Sequence, residues 1–200
     1  MHSNGKNAPL PRPAATIILV QDGVDDIQVY LMRRSSRSGA FAGNYVFPGG
    51  TISKPDQDWG LWKNYLDMGL EEISKRFSNG LSAEKAIVFG VAAIRETFEE
   101  AGVLLARGNS QDLEMLCQMR MGERLSADWF QKLAMSEGWI LSFSSLIPWS
   151  HWVTPKLMPK RFDTWFFIAS MPTGQTCVPD ARETTHGIWI TPKEALEKNL

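Results

Sequence analysis

The sequence predicts an α/β fold of the α+β kind, in which a mixed β-sheet carries helices on its faces. Short runs rich in β-branched and other apolar residues at 14–20 and 27–32 have the character of buried strands. Residues 83–101 show the apolar spacing of a long helix. Strands and helices alternate irregularly along the rest of the chain, which is typical of a mixed sheet covered by helices.

The chain length indicates one domain with an insertion. A chain of 200 residues without repeats or low-complexity segments fits a single domain over residues 1–200. Residues 51–82 look like an insertion, because this polar segment carries apolar residues spaced as one or two short amphipathic helices. Those apolar residues are Trp59, Trp62, Tyr65, Leu66, Ile73 and Phe77.

Local signals place the other elements. An apolar strand enters the sharp turn at Pro48-Gly49-Gly50, where glycine permits backbone angles that other residues do not. Ser82 is a suitable N-cap and Gly102 a suitable stop for the helix at residues 83–101. A terminal helix begins at Pro192. Further strands are predicted at residues 103–106, 145–153, 162–170 and 187–190, with helices within residues 110–137.

The composition excludes several classes of protein. A formal net charge of −1 argues against a polyanion-binding surface, so nucleic acid is not an expected partner. No apolar run approaches the roughly 18 residues of a membrane helix, and the polar residues 1–13 do not resemble a signal peptide. Cys117 and Cys177 are too few for a disulfide framework. The expectation is a soluble cytoplasmic protein without a membrane partner; a homodimer is left open.

The helix at residues 83–101 separates apolar side chains from acidic ones. On a helical wheel its core face consists of Ile87, Val91, Ile94, Phe98 and Ala101. Glu96, Glu99 and Glu100 fall together on the opposite side. Because positions three and four apart are neighbours on a helix, Glu96 adjoins both other acids, and Arg95 can orient the Glu99 carboxylate.

Three carboxylates within one helical turn need a compensating charge. They repel one another and oppose the helix dipole near its C-terminal end. Mg²⁺ or Mn²⁺ prefers oxygen ligands and would offset this charge. The alternative is an acidic, solvated face with Arg95 as a partial counter-ion, and the charge pattern alone does not choose between the two.

The residue string at this helix resembles a known signature. Arg95-Glu96-Thr97-Phe98-Glu99-Glu100-Ala101-Gly102-Val103 resembles the second half of the Nudix box, and Phe47-Pro48-Gly49-Gly50 resembles its opening. Chance agreement of the five fixed residues in such a chain is on the order of 10⁻⁴ at average composition. The chain is therefore identified as resembling the Nudix hydrolases, but 44 residues separate Gly50 from Arg95, far more than in the usual box.

A box split by an insertion is similar to that of the coenzyme A diphosphatase-like Nudix subgroup. Residues 145–155, with Trp-Ser-His-Trp-Val-Thr-Pro at their core, and residues 161–167 also look similar to that subgroup. Gly43 and residues 47–50 match the end of its coenzyme A-associated motif. The upstream part keeps Arg34-Ser35, but the later arginine, Arg37, is out of register.

The resemblance implies a Nudix-type α/β/α sandwich and roles for individual residues. Glu96 and Glu100 would be the principal ligands of Mg²⁺ or Mn²⁺, with Glu99 a third ligand or a water-positioning group. Glu100, Glu99 and Arg95 would form the catalytic set, Arg95 by orienting a ligand carboxylate. Two equivalents of the early box glutamate remain open, Asp56 by its count from Gly50 and Glu84 by its place near the helix start. The general base is open between Glu100 and Glu183.

Other residues lie where substrate contacts are expected. Gly49 and Gly50 would let backbone N–H groups approach the substrate closely, and Arg34, at a strand end facing this turn, could bind substrate phosphates; the alternative for Arg34 is a solvated strand-end arginine. His151 is expected to be bonded within an aromatic cluster. Tryptophans such as Trp165 could stack on an adenine ring, although most are expected in the core.

The expected substrate is a nucleoside diphosphate linked to another moiety, with coenzyme A or an acyl-coenzyme A first. A second hypothesis keeps the chemistry and replaces this substrate with ADP-ribose, a dinucleotide or an RNA cap. A third, of a different class, is a Nudix-fold sensor or binding module without catalysis. The interrupted box favours this third hypothesis, whereas the intact Glu96, Glu99 and Glu100 argue against it.

Overall fold

The computed structural model describes residues 8–35, 43–78, 80–108, 113–121, 126–182 and 184–200. Its strands are β1 (Arg12–Asp22), β2 (Ile27–Arg34), β3 (Tyr45–Val46), β4 (Gly49–Thr51), β5 (Ala106–Arg107), β6 (Ile140–Leu141), β7 (Ile147–Val153), β8 (Phe162–Ser170) and β9 (Thr184–Ile190). Its α-helices are α1 (Trp59–Trp62), α2 (Leu70–Arg76), α3 (Ala83–Ala101), α4 (Leu113–Met121), α5 (Trp129–Ser136) and α6 (Pro192–Glu197).

The main sheet is mixed, as the sequence predicts. Strand β1 lies at its centre and pairs in parallel with β8 from Arg12↔Phe162 to Val20↔Ser170. On its other side β1 is antiparallel, first to β4 and then to β2. Strand β7 extends the sheet beyond β8, whereas β3 and β9 pair with β2. This branching holds the short strand β4 beside the middle of the sheet.

Helices cover both faces of this sheet. The larger core lies between the sheet and α3, and includes Ile17 on β1, Met32 on β2 and Phe167 on β8, all with no exposed surface. A smaller core on the opposite face joins Val29, Leu31 and Ile190 to Ala195 of α6. The predicted α/β/α arrangement is therefore present.

Helix α3 has the predicted bounds. The Ser82 hydroxyl accepts a hydrogen bond from the backbone N–H of Lys85, and Gly102 ends the helix with a left-handed φ of 72°. Arg120 of α4 donates to the carbonyls of Glu99 and Val178, which fixes the C-terminal end of α3 against the loop before β9. The ends of α3 are thus determined by local signals and by one distant arginine.

The surroundings of α3 differ from a two-sided amphipathic helix. Its apolar arc faces the sheet, but the acidic side is covered as well, by the segment after β4 (residues 52–58), whose Asp56 binds Arg95, and by Trp129 of α5, which binds Glu99. The predicted strand at residues 103–106 is wrong in extent, because residues 103–105 are buried without strand pairing and β5 begins at Ala106. Among the described helices, none is long and apolar enough to cross a membrane.

Candidate active site

Gly49 and Gly50 of β4 lie against two members of the acidic cluster, which consists of Asp56, Glu96, Glu99 and Glu100. Strand pairing sets Gly49 opposite Thr16 and Gly50 opposite Ala15. A Cβ atom on Gly49 would lie 2.5 Å from the backbone oxygen of Ala15, and one on Gly50 would lie 2.5 Å from the Glu96 carboxyl. Both positions therefore exclude side chains, the first because of the sheet and the second because of Glu96. The predicted sharp turn is wrong at these two glycines, because both are paired strand residues and neither has a positive φ.

Two carboxylates of α3 lie beside these two glycines. Glu100, only 7% exposed, accepts a hydrogen bond from the backbone N–H of Gly49, with 2.9 Å between N and Oε2. Glu96 lies against Gly50, and its side chain is 14% exposed. Gly49 and Gly50 of β4 thus lie against both Glu96 and Glu100, which are one helical turn apart on α3.

Arg95 links the cluster to the segment after β4. Its Nε and Nη2 atoms donate to the two carboxylate oxygens of Asp56, at 2.9 and 2.8 Å. Nη2 also donates to the carbonyl oxygen of Thr51 at 3.2 Å. Nη1 lies 2.8 Å from a carboxylate oxygen of Glu96 and 2.8 Å from one of Glu99. One guanidinium group therefore holds three acids at fixed positions.

Glu99 accepts hydrogen bonds at both of its oxygens. Oε2 accepts from Arg95 at 2.8 Å, and Oε1 accepts from the indole N–H of Trp129 on α5 at 2.7 Å. The Trp129 ring also packs on Phe98, with 5.9 Å between ring centroids. The Glu99 carboxylate is therefore fixed from two sides, by its own helix and by a distant one.

Burial and charge shift the proton affinities in this cluster. Burial raises the pKa of the Glu96 carboxyl to about 7; the positive charge of Arg95 opposes the rise, and the negative charge of Glu99 adds to it. Burial alone would lower the pKa of Arg95, but hydrogen bonds to Asp56 and the nearby carboxylates outweigh burial and raise it. Arg95 therefore stays charged, whereas a charged Glu96 is poorly compensated.

The donor set fits a hard divalent cation. Asp56, Glu96 and Glu99 contact the single guanidinium of Arg95, and Glu100 lies one helical turn from Glu96 at Gly49, so the cluster has excess negative charge in a buried place. Among the described residues, no three His, Cys, Asp or Glu side chains form a complete ligand group. Mg²⁺ is commonly held by only one or two carboxylates, with water and substrate phosphates completing its shell. Glu96 and Glu100, side by side at Gly49 and Gly50 of β4, supply these two carboxylates.

The other predicted site residues lie at different places. Arg34 follows Tyr30 and Met32 on the sheet face towards α3, and its Nε is buried without a hydrogen-bond partner among the described residues. Glu84 lies in the first turn of α3, away from the cluster, so Asp56 is the early acidic residue that contacts it. Glu183 and Arg37 lie outside the described residues.

The contacts of Asp56 and Trp129 extend the predicted set. Asp56 is 1% exposed, and besides Arg95 it binds the backbone N–H of Ser53. Its distance from Gly50 in sequence was the signal that pointed to it. Trp129 carries no such signal, because 30 residues and a change of helix separate it from Glu99.

A cavity of about 640 Å³ adjoins the cluster along α3. The segment after β4 separates the two: Thr51 and Asp56 bind Arg95, whereas Ile52 and Gln57 line the cavity. His151 is stacked on Trp165 in its wall, with 4.5 Å between ring centroids and 12° between ring planes. His151 also pairs with Asp163. The expected aromatic environment of His151 is therefore confirmed, and it belongs to a cavity wall.

Comparison with known proteins adds sequence relatives to this geometry. The sequence model of the family described as NUDT19 Nudix domain matches residues 11–200. A Xenopus laevis protein named acyl-coenzyme A diphosphatase NUDT19 is 30% identical over 224 aligned positions, covering 94% of this chain and 59% of its own length. The human protein of the same name is 28% identical and covers 88% of this chain and 56% of its own length. The chain thus spans less than two thirds of these relatives.

A solved structure has the same fold. The Nudix hydrolase from Alicyclobacillus acidocaldarius superposes with a TM-score of 0.72 at 23% identity, over 94% of this chain and 82% of its own. At this identity the likeness concerns the fold alone. It agrees with the mixed sheet and the two helical layers described above.

Proposed function

The chain belongs to the family described as the NUDT19 Nudix domain, and from this premise we propose that it hydrolyses the diphosphate of coenzyme A or of an acyl-coenzyme A. Water is added across the phosphoric anhydride, which gives adenosine 3′,5′-bisphosphate and 4′-phosphopantetheine or its S-acyl thioester. The proposal is supported most by one observation, the convergence of Glu96 and Glu100 on Gly49 and Gly50 of β4.

Glu96 and Glu100 would hold the cation of this reaction, Mg²⁺ or Mn²⁺. Hydrolases of this family generally use divalent metal ions. Such an ion supplies charge neutralisation for the diphosphate and lowers the pKa of water. Glu99, fixed by Arg95 and Trp129, acts by position, keeping a negative charge beside this pair of ligands.

The chain's own groups orient the substrate and move the proton. Gly49 and Gly50 let the backbone of β4 lie directly against Glu100 and Glu96, so a diphosphate bound at these carboxylates would lie beside this backbone. Glu100, hydrogen-bonded to Gly49, is placed to accept a proton from the attacking water. Arg34, whose buried Nε has no hydrogen-bond partner within the described part of the chain, lies on the same face of the sheet and binds a phosphate of the nucleotide end.

The test is a product analysis by mass with coenzyme A, hexanoyl-coenzyme A, ADP-ribose, NADH and capped RNA, in Mg²⁺ and in Mn²⁺. We expect the coenzyme A substrates to be cleaved fastest, into adenosine 3′,5′-bisphosphate and the matching phosphopantetheine. Preferred cleavage of ADP-ribose, NADH or capped RNA would transfer the proposal to that substrate class. Absence of all metal-dependent cleavage would contradict it and favour a binding module.

Substitutions in the cluster separate ligands from positioning groups. Glu96→Gln and Glu100→Gln should each lower kcat by at least about a hundredfold, the scale of a lost general base or ligand, and weaken Mn²⁺ binding measured by calorimetry. Glu99→Gln should lower kcat but keep most of the Mn²⁺ affinity. In metal-free buffer the melting temperature of Glu100→Gln should be unchanged. Full Mg²⁺-dependent activity in Glu100→Gln would make the assignment wrong.

A further inference from the structure

The cavity beside α3 lies in line with the acidic cluster. Val88 lines the cavity, and at 100° per residue Val88 and Arg95 differ by only about 20° around the helix axis. Seven residues separate them, which is a distance of about 10 Å along α3. A molecule whose diphosphate lies at the cluster could therefore extend along the same face of α3 into this cavity.

The charges of the cavity wall are poorly suited to the nucleotide end of the substrate. The charged groups are Lys85, Glu84 and Asp163, and His151 pairs with Asp163, so the wall has no net positive charge. The nucleotide end of coenzyme A carries an additional phosphate, for which this wall supplies no compensating net charge. The pantetheine arm is uncharged, and so is a short acyl group attached to its thiol.

The chemistry of the wall is suited to that uncharged arm. Ile52, Val88, Phe89 and the stacked rings of His151 and Trp165 supply apolar surface. Gln57 and His151 supply hydrogen-bonding groups for amides. Pockets of roughly 300–1,000 Å³ that combine apolar walls with a few polar groups are the usual small-molecule sites of proteins, and this one has about 640 Å³.

Arg34 lies towards the C-terminal end of α3, away from the cavity. The loop before β9 binds the last turn of α3, through the N–H of Asp180 and the carbonyl oxygen of Glu100. Strand β9 then begins at Thr184, whose strand partner is Arg34. Positive charge therefore lies beyond the C-terminal end of α3, whereas the uncharged cavity lies at its N-terminal half.

We propose that this cavity binds the pantetheine arm and its acyl group, and that the nucleotide end of the substrate lies towards Arg34. The proposal rests on the proposed function, since it assigns the two ends of the same substrate. It makes Val88, Gln57 and the His151–Trp165 wall determinants of acyl-chain preference. The segment after β4 divides the diphosphate site from the arm site.

The test fills the cavity and measures the two ends of the substrate separately. Val88→Trp places a large ring inside the cavity, and Val24→Trp makes the same change at a fully exposed turn position. Calorimetry without metal measures binding of S-hexanoyl-pantetheine and of adenosine 3′,5′-bisphosphate. We expect Val88→Trp to weaken the first by at least about tenfold, equal to 1.4 kcal/mol, and to leave the second unchanged, whereas Val24→Trp changes neither.

Turnover provides an independent readout. In Val88→Trp, KM for hexanoyl-coenzyme A should rise more than kcat falls, because the cluster itself is unaltered. Gln57→Trp, at an exposed cavity position, repeats the test should Val88→Trp not fold. Unchanged pantetheine binding in the folded cavity variants, or loss of bisphosphate binding in its place, would overturn the proposal. Wild-type binding of S-hexanoyl-pantetheine without coenzyme A hydrolysis would contradict the proposed function but support the arm site.

Discussion

At the scale of single residues, the acidic cluster depends on Arg95. Its guanidinium binds Asp56 through two nitrogens and also contacts Glu96 and Glu99. A buried ion pair contributes little net stability, but removal of one partner leaves an uncompensated charge. Asp56 is the partner with the least exposed side chain, at 1%. Its main effect is therefore to keep Arg95 in one orientation.

Removal of Asp56 should destabilise the whole domain. In Asp56→Ala, Arg95 loses two hydrogen bonds and the N–H of Ser53 loses its acceptor, so the free energy of unfolding should fall by about 3 kcal/mol. Urea unfolding measures this difference. Asp25→Ala, in the exposed turn after β1, is the matched control and should be neutral within about 0.5 kcal/mol. Equal stability of the two variants would contradict a structural role for Asp56.

The two glycines of β4 should respond differently to alanine. In Gly49→Ala the new methyl group meets backbone atoms of β1, which cannot move, and stability should fall by about 2 kcal/mol. In Gly50→Ala it meets the carboxyl end of Glu96, which can rotate away. Gly50→Ala should therefore keep the fold and lose Mn²⁺ affinity.

Thermal unfolding in metal-free buffer and Mn²⁺ calorimetry give the two readouts for these variants. Gly60→Ala, where the nearest atom is 3.8 Å away, is the control. Unaltered Mn²⁺ binding in Gly50→Ala would show that Glu96 is not a metal ligand.

Sequence reasoning reached part of this residue network. The pair Arg95–Glu99 follows from helical spacing, and Asp56 follows from its count after Gly50, although Glu84 was an equal candidate. The bond from Trp129 to Glu99 was not predictable, because tertiary packing alone brings α5 to α3. Helical periodicity reports which side chains share a face, but not which distant element covers that face.

At the scale of elements, helix α3 connects the sheet, the segment after β4 and α5. Its bounds were predictable, because Ser82 and Gly102 act within one turn of the ends. The cover over its acidic side was not predictable, since Asp56 and Trp129 come from separate segments that only tertiary packing brings to α3. Strand β9 begins at Thr184, earlier than predicted, because pairing with β2 continues beyond the apolar residues.

The contact between α5 and α3 should affect both stability and turnover. Trp129→Phe keeps an aromatic ring against Phe98 but removes the indole N–H bound to Glu99. Hydrogen bonds to charged groups contribute about 1.5–3 kcal/mol, and Glu99 is partly exposed, so a loss of about 1 kcal/mol is expected in urea unfolding. Because Glu99 then has one donor fewer, kcat should fall more than KM changes. Trp149→Phe, at a 66% exposed position, is the control and should change neither quantity.

At the scale of the whole molecule, the segment at residues 51–82 is part of the main core. Trp62, Ile73 and Phe77 have at most 1% of their surface exposed. The Trp62 ring lies 6.1 Å from that of Phe130 on α5, and Phe77 packs on Phe143 and on Phe167 of β8. The sequence indicated short amphipathic helices here, but periodicity could not tell that their apolar faces enter the same core as α3.

This packing predicts cooperative unfolding of the segment together with the sheet. Trp62→Ala should lower the free energy of unfolding by about 3–5 kcal/mol, because a fully buried ring is replaced by a cavity. Far-UV circular dichroism and a cysteine-labelling probe at the partly buried Cys177 should report the same urea midpoint, as expected for one cooperative unit. Trp149→Ala, at an exposed position on β7, should shift that midpoint little. Trp62→Ala could instead show a separate early transition in which the sheet stays intact. This result would mean that residues 51–82 fold as an appended unit and that α3 and β4 alone hold the acidic cluster.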